Sequence, residues 1–88
     1  MDALRLDGNA AAGVLREIFG AEMTTAVGAC DGCGATDEVG AVYLYRGAGL
    51  VLRCPHCEAA LMKIVSDGTR VWIDLRGLRT LELRLDGA

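Results

Sequence analysis

Apolar and polar residues alternate along this chain with two different periods, and the change falls near Met23. Before it, in "LDGNAAAGVLREIFGAE", Ala11, Val14, Leu15, Ile18 and Phe19 recur at i, i+3, i+4, i+7 and i+8. One apolar stripe at that spacing predicts an amphipathic helix over about residues 8–19. Asp7 or Asn9 is placed to accept hydrogen bonds from the first free backbone N–H groups, and Gly20 is a natural left-handed stop. Gly13 lies inside the helix and costs about 1 kcal/mol of propensity relative to alanine, which close packing would have to offset.

After Met23 the period is two. "MTTAVGA" reads as a first short strand. In "AVYLYR", Val42 and Leu44 face one way and Tyr43 and Tyr45 the other. "GAG" at 47–49 is a hairpin loop, and "LVLR" returns toward Cys54. In "ALMKIVSDGTRVWIDL", Asp67-Gly68 predicts a two-residue turn. That turn would pair Ile64 with Val71, Met62 with Ile73 and Ala60 with Leu75 on one face, with Lys63 opposite Trp72 on the other. "LRTLELRL", residues 78–85, alternates Leu81, Leu83 and Leu85 against Glu82 and Arg84, favouring a strand over the alternative of a short helix. At a sheet edge, its open backbone could recruit a second copy, a homodimer through the C-terminal strand.

The expected architecture is therefore α+β: one N-terminal helix packed on an antiparallel ribbon of about five strands, within a single domain over residues 1–88. The helix occupies about 8–19 and the ribbon about 23–85. A chain of 88 residues buries a modest core and commonly needs a cross-link. With 52% hydrophobic residues it is no disordered tail, yet it contains no apolar run long enough for a membrane helix. The start, "MDALRLDGNA", lacks the basic and apolar regions of a secretory signal, so the cytoplasm is the expected address.

Composition also bears on partners. The formal net charge of −3 speaks against non-specific nucleic-acid binding. Acidic residues dominate up to Gly40, whereas most arginines, including Arg76 and Arg79, follow it. These arginines, His56, and the strand tyrosines Tyr43 and Tyr45 are the candidate partner-binding residues.

Four cysteines carry the chemistry. Cys30 and Cys33 have two residues between them, as do Cys54 and Cys57, and twenty residues separate the pairs. In a reducing compartment this C-x2-C-x20-C-x2-C spacing points to one tetrathiolate zinc site. Two intervening residues allow a tight turn in which both sulfurs reach one ion. Twenty residues suffice for one strand out and one back.

"CPHC" at 54–57 also resembles the active-site tetrapeptide of disulfide oxidases with a thioredoxin fold. That chemistry needs a helix after the first cysteine and a cis-proline facing the pair. Here a strand follows, and Pro55 is the sole proline. His56 is not required as a ligand, because four thiolates complete a tetrahedron and leave no open position for catalysis.

The reading is a non-enzymatic, structural-zinc module that binds an unidentified protein partner. Its alternatives are a nucleic-acid-binding ribbon, a rubredoxin-like iron electron carrier and a thiol redox switch. Iron is the weaker choice, since Glu58 stands where rubredoxins have glycine and the chain is poor in aromatics.

The stretches "RLDGNAAAGVLREIF", "CDGCG", "YRGAGLVLRCPHC" and "WIDLRG" together resemble a family of small bacterial zinc-ribbon proteins of unknown function, apparently actinobacterial. The resemblance implies an N-terminal helix on a zinc ribbon with Cys30, Cys33, Cys54 and Cys57 as ligands. It implies no activity and no partner.

Overall fold

A computed structural model describes residues 5–83. The chain enters as a short strand, β1 (Arg5–Asp7), where the hydropathy pattern had suggested only the approach to the helix. Asp7 then caps the helical segment: its carboxylate accepts from the Asn9 N–H at 3.1 Å. The predicted helix forms as a 3-10 turn over Gly8–Ala11 continuing into α1 (Ala12–Phe19). It stops at Gly20, whose φ of +72° is the left-handed conformation that glycine adopts without steric cost.

Of the apolar stripe, Ala11 and Leu15 are buried and Ile18 and Phe19 pack against the core, but Val14 remains 42% exposed. The helix therefore sits with one flank open. Gly13 earns nothing from packing, because a Cβ added there would meet no atom within 4 Å. Gly13→Ala is accordingly expected to stabilise the protein by about 0.5 kcal/mol, read as a shift in the urea midpoint.

Beyond α1 the chain forms β2 (Val27–Cys30), β3 (Thr36–Glu38), β4 (Tyr43–Arg46), β5 (Leu50–Arg53), β6 (Ala60–Ser66), β7 (Val71–Asp74) and β8 (Leu78–Glu82). The described residues thus contain eight strands rather than about five, all antiparallel. One sheet has five strands in the order β1-β4-β5-β6-β7, and the other three, β3-β2-β8. Two of the strands, β1 and β3, are three residues long and too short to show a period in sequence. The first ribbon strand is also shorter than "MTTAVGA": Met23 is buried in the loop before it.

The core follows from register. Leu44 lies opposite Leu52, and Leu52 opposite Met62, so three strands contribute one continuous buried row. Leu15 and Met23 complete the buried cluster with Val39 and Val42. The "GAG" loop connects β4 to β5 as expected, with Arg46 paired to Leu50.

The β6–β7 hairpin differs from its predicted register. Ser66 pairs with Val71, Val65 with Trp72, Ile64 with Ile73 and Lys63 with Asp74. The expected pairs Ile64–Val71, Met62–Ile73, Ala60–Leu75 and Lys63–Trp72 are each displaced by two residues. Asp67 is the cause. Its carboxylate accepts from the N–H groups of Thr69 and Arg70, at 2.9 and 2.7 Å, so it closes the loop instead of occupying its tip. The tip falls on Gly68, at φ +98°, and Thr69.

The C-terminal segment is a strand at the edge of the three-stranded sheet, but it ends at Glu82. Its predicted continuation to Leu85 runs outside the described residues after Leu83. Among the described residues no helix is long and apolar enough to cross a membrane.

Candidate metal centre

Each cysteine pair sits in a turn between two strands, and the two turns repeat each other bond for bond. In the first, Gly34 N–H donates to Cys30 C=O at 2.9 Å and Cys30 N–H donates to Ala35 C=O at 2.8 Å. In the second, Glu58 N–H donates to Cys54 C=O at 2.7 Å and Cys54 N–H to Ala59 C=O at 2.9 Å. The same local geometry explains the positive φ of Gly34, +80°, and of Glu58, +64°.

Glu58 is the one non-glycine residue with a positive φ among the described residues. A left-handed conformation costs an L-residue about 1–2 kcal/mol, partly offset by the greater freedom that glycine has when unfolded. Glu58→Gly should therefore stabilise the protein by about 0.5–1 kcal/mol, detectable as a higher melting temperature. Gly34→Ala should do the opposite.

The two turns bring all four sulfurs together. Every Sγ lies within 4.8 Å of the others, with Cys30 to Cys57 and Cys33 to Cys54 both at 3.7 Å. That spacing rules out disulfides, which need about 2.05 Å. It matches a metal tetrahedron: bonds of about 2.3 Å give sulfur–sulfur edges of about 3.8 Å. Cys30 and Cys54 are buried, whereas Cys33 and Cys57 face solvent.

Backbone N–H groups point at the sulfurs, as the tight turns require. His56 N–H donates to Cys54 Sγ at 3.4 Å. The Cys33 N–H, opposed by burial and joined by the Gly32 N–H, draws the Cys30 thiol down to about 7. At Cys57 the Ala59 N–H pulls downward, but burial and the three neighbouring sulfurs outweigh it and push the thiol up to about 12. At Cys33 the Ala35 N–H is likewise outweighed, by burial and by the Cys54 and Cys30 sulfurs, and the thiol is raised. Four adjacent sulfurs cannot all ionise on their own; a divalent cation at their centre removes that conflict. These four cysteines are positioned to hold a metal ion.

Gly77 joins the two halves of the site. Its C=O accepts from the Asp31 N–H, inside the first cysteine turn, at 2.9 Å. A Cβ placed on it would lie 1.8 Å from the Ala60 carbonyl oxygen, just after the second turn. No local signal in the sequence reveals this contact, because it joins backbone atoms of distant segments.

The candidate partner residues are dispersed. His56 Nε2 lies 2.9 Å from Asp37 Oδ2 beside the metal centre, with its side chain 54% exposed. Arg79 reaches Asp31, in the other cysteine turn, at 3.5 Å. Tyr43 and Tyr45 are half-buried on β4, and the Arg53 guanidinium covers the Tyr45 ring at 5.8 Å from its centroid. Arg76 is turned back on its neighbour Asp74 at 2.9 Å. The structure gathers His56 and Arg79 around the cysteine cluster and leaves the other three outside it. Asp31 and Asp37, which hold those two side chains, carried no distinguishing signal in sequence.

No curated protein and no solved structure matches this chain. A family model does, across residues 2–86, which with the four-cysteine cluster fits a zinc ribbon. The chain belongs to that family, described as a family of unknown function, DUF6510.

Proposed function

We propose that this protein is a non-enzymatic module in which one zinc ion, held by Cys30, Cys33, Cys54 and Cys57, is structural, and whose surface binds a protein partner. The observation that supports it is the convergence of four thiols, all within 4.8 Å of one another and two pairs of them at 3.7 Å. Four thiolates satisfy a tetrahedral ion completely, which leaves no coordination position for water or substrate. When bound, zinc supplies a cross-link between the two sheets. The chain's own part is to pre-form both turns and aim N–H groups at the sulfurs.

Zinc is favoured over iron because the buried core of the described residues contains no aromatic side chain, unlike a rubredoxin. Elemental analysis of the purified protein should find one zinc per chain and no visible absorption band. A coloured, iron-containing protein would overturn this reading.

Protein binding is favoured over nucleic-acid binding because Arg53 already covers Tyr45 and donates to the Glu58 carbonyl at 2.9 Å, so that ring is not free to stack a base. Co-purification from the native cell, with mass-spectrometric identification, should recover a protein partner. Salt-sensitive retention on DNA or RNA would favour the other reading instead.

A further inference from the structure

Strand β7 is one edge of the five-stranded sheet, and it is apolar on both faces. Trp72 is 50% exposed, Val71 44% and Ile73 38%, with Val65 beside them on β6 at 45%. The other edges are blunted. β1 and β3 are three residues long, and β8 turns Leu78 and Leu81 against the core while Arg79, Thr80 and Glu82 face solvent. An exposed apolar edge with open backbone groups is a template for another strand.

The pattern of β7 and its flanks states which strand fits. In Arg70-Val71-Trp72-Ile73-Asp74, the two ends carry opposite charges and the centre is apolar. Asp67 N–H donates to Arg70 C=O across the loop at 3.1 Å. Counting from that bonded pair, an antiparallel ladder alternates, so Val71 and Ile73 turn their N–H and C=O groups to the open edge. An incoming antiparallel strand must therefore bond to these two residues. We infer that the strand is β7 of a second copy of this chain, paired about a two-fold axis through Trp72.

In that register Val71 of each copy bonds with Ile73 of the other, and the two Trp72 rings meet at a non-bonded position where side chains lie closest. Arg70 of each copy stands opposite Asp74 of the other. Sliding the register by one step toward Asp74 would oppose Arg70 to Arg76, and sliding it the other way would oppose Arg70 to Trp72. Charge complementarity selects the central register. The dimer extends one sheet continuously across both copies and buries the apolar edge on both faces. It is independent of the metal centre's partner, and each subunit keeps its own site.

The test uses the metal-loaded protein in analytical ultracentrifugation from low to high micromolar concentration. Wild type should dimerise reversibly. Arg70→Asp and Asp74→Arg should each weaken self-association by about tenfold or more, since each replaces two attractive cross-strand pairs by repulsive ones. An equimolar mixture of the two variants should recover the dimer, because every Asp then faces an Arg. Hydrogen exchange of wild type supplies a variant-free measure: the Val71 and Ile73 amides should slow as concentration rises. A wild type that stays monomeric, or one that dimerises without protecting these amides, overturns the proposal. So do variants that fold normally and dimerise like wild type.

Discussion

Replacing Cys54 with serine is expected to abolish metal binding and unfold at least the ribbon around it. Cys54 is buried, its Sγ lies 3.7 Å from Cys33 Sγ, and it directly follows β5, the central strand of the Leu44–Leu52–Met62 core row. Losing one thiolate leaves three ligands and an unfilled coordination position. The remaining sulfurs must then be protonated or repel one another. Structural zinc in small peptides contributes on the order of 10–16 kcal/mol, against a total stability of roughly 5–15 kcal/mol for an ordinary domain. Nothing else in so short a chain replaces that contribution. Circular dichroism should show loss of strand signal, and the melting transition should broaden or disappear. Prolonged chelation of the wild type should reproduce the effect. Metal binding requires thiolates, so acidification should promote release in the same way. Unchanged dichroism and melting after verified metal removal would refute the structural role.

Gly77→Ala is expected to damage the fold and the metal centre together, costing about 3 kcal/mol. The reason is space, since Gly77 does not have a positive φ. Its absent Cβ would sit 1.8 Å from the Ala60 carbonyl oxygen and 2.6 Å from Leu61 Cα, both backbone atoms that cannot rotate away. Relief requires the strand leaving the second cysteine turn to move by more than 1 Å, as a contact distance of roughly 3 Å demands. Such overpacking costs about 1–3 kcal/mol, and losing the Asp31-to-Gly77 hydrogen bond adds about 1 kcal/mol. The displacement also separates the two turns, so metal affinity should fall together with stability. Urea unfolding and competition with a chromophoric chelator would measure the two effects. A variant with wild-type stability and affinity would show that the backbones separate at no cost.

Local signals in the sequence were legible and held. The two C-x2-C turns, the Asp7 cap, the Gly20 stop and the loop at 47–49 each depend on residues a few positions apart, so the chain states them without reference to distant neighbours. The inward faces of β4, β5 and β6 were legible too, because burial at Leu44, Leu52, Met62 and Ile64 follows a period of two, whereas on β7 the alternation misleads, since Val71 and Ile73 stay exposed like Trp72. The partner residues were less so. Arg76, Arg79 and His56 follow no period, and only the fold brings His56 to Asp37 and Arg79 to Asp31.

Sequence thus sufficed for the helix, the longer strands and the four thiols that meet. The hairpin register shows where it stopped. A slip of two residues leaves every side chain on the same face, so hydropathy cannot distinguish Ile64–Val71 from Ile64–Ile73. The choice fell to the Asp67 carboxylate and its two N–H donors. Tertiary structure alone decided the division into two sheets, the pairing of β8 with β2, and the backbone contact at Gly77 that joins the cysteine turns. These are contacts between backbone atoms far apart in the chain, and backbone atoms are the same in every residue.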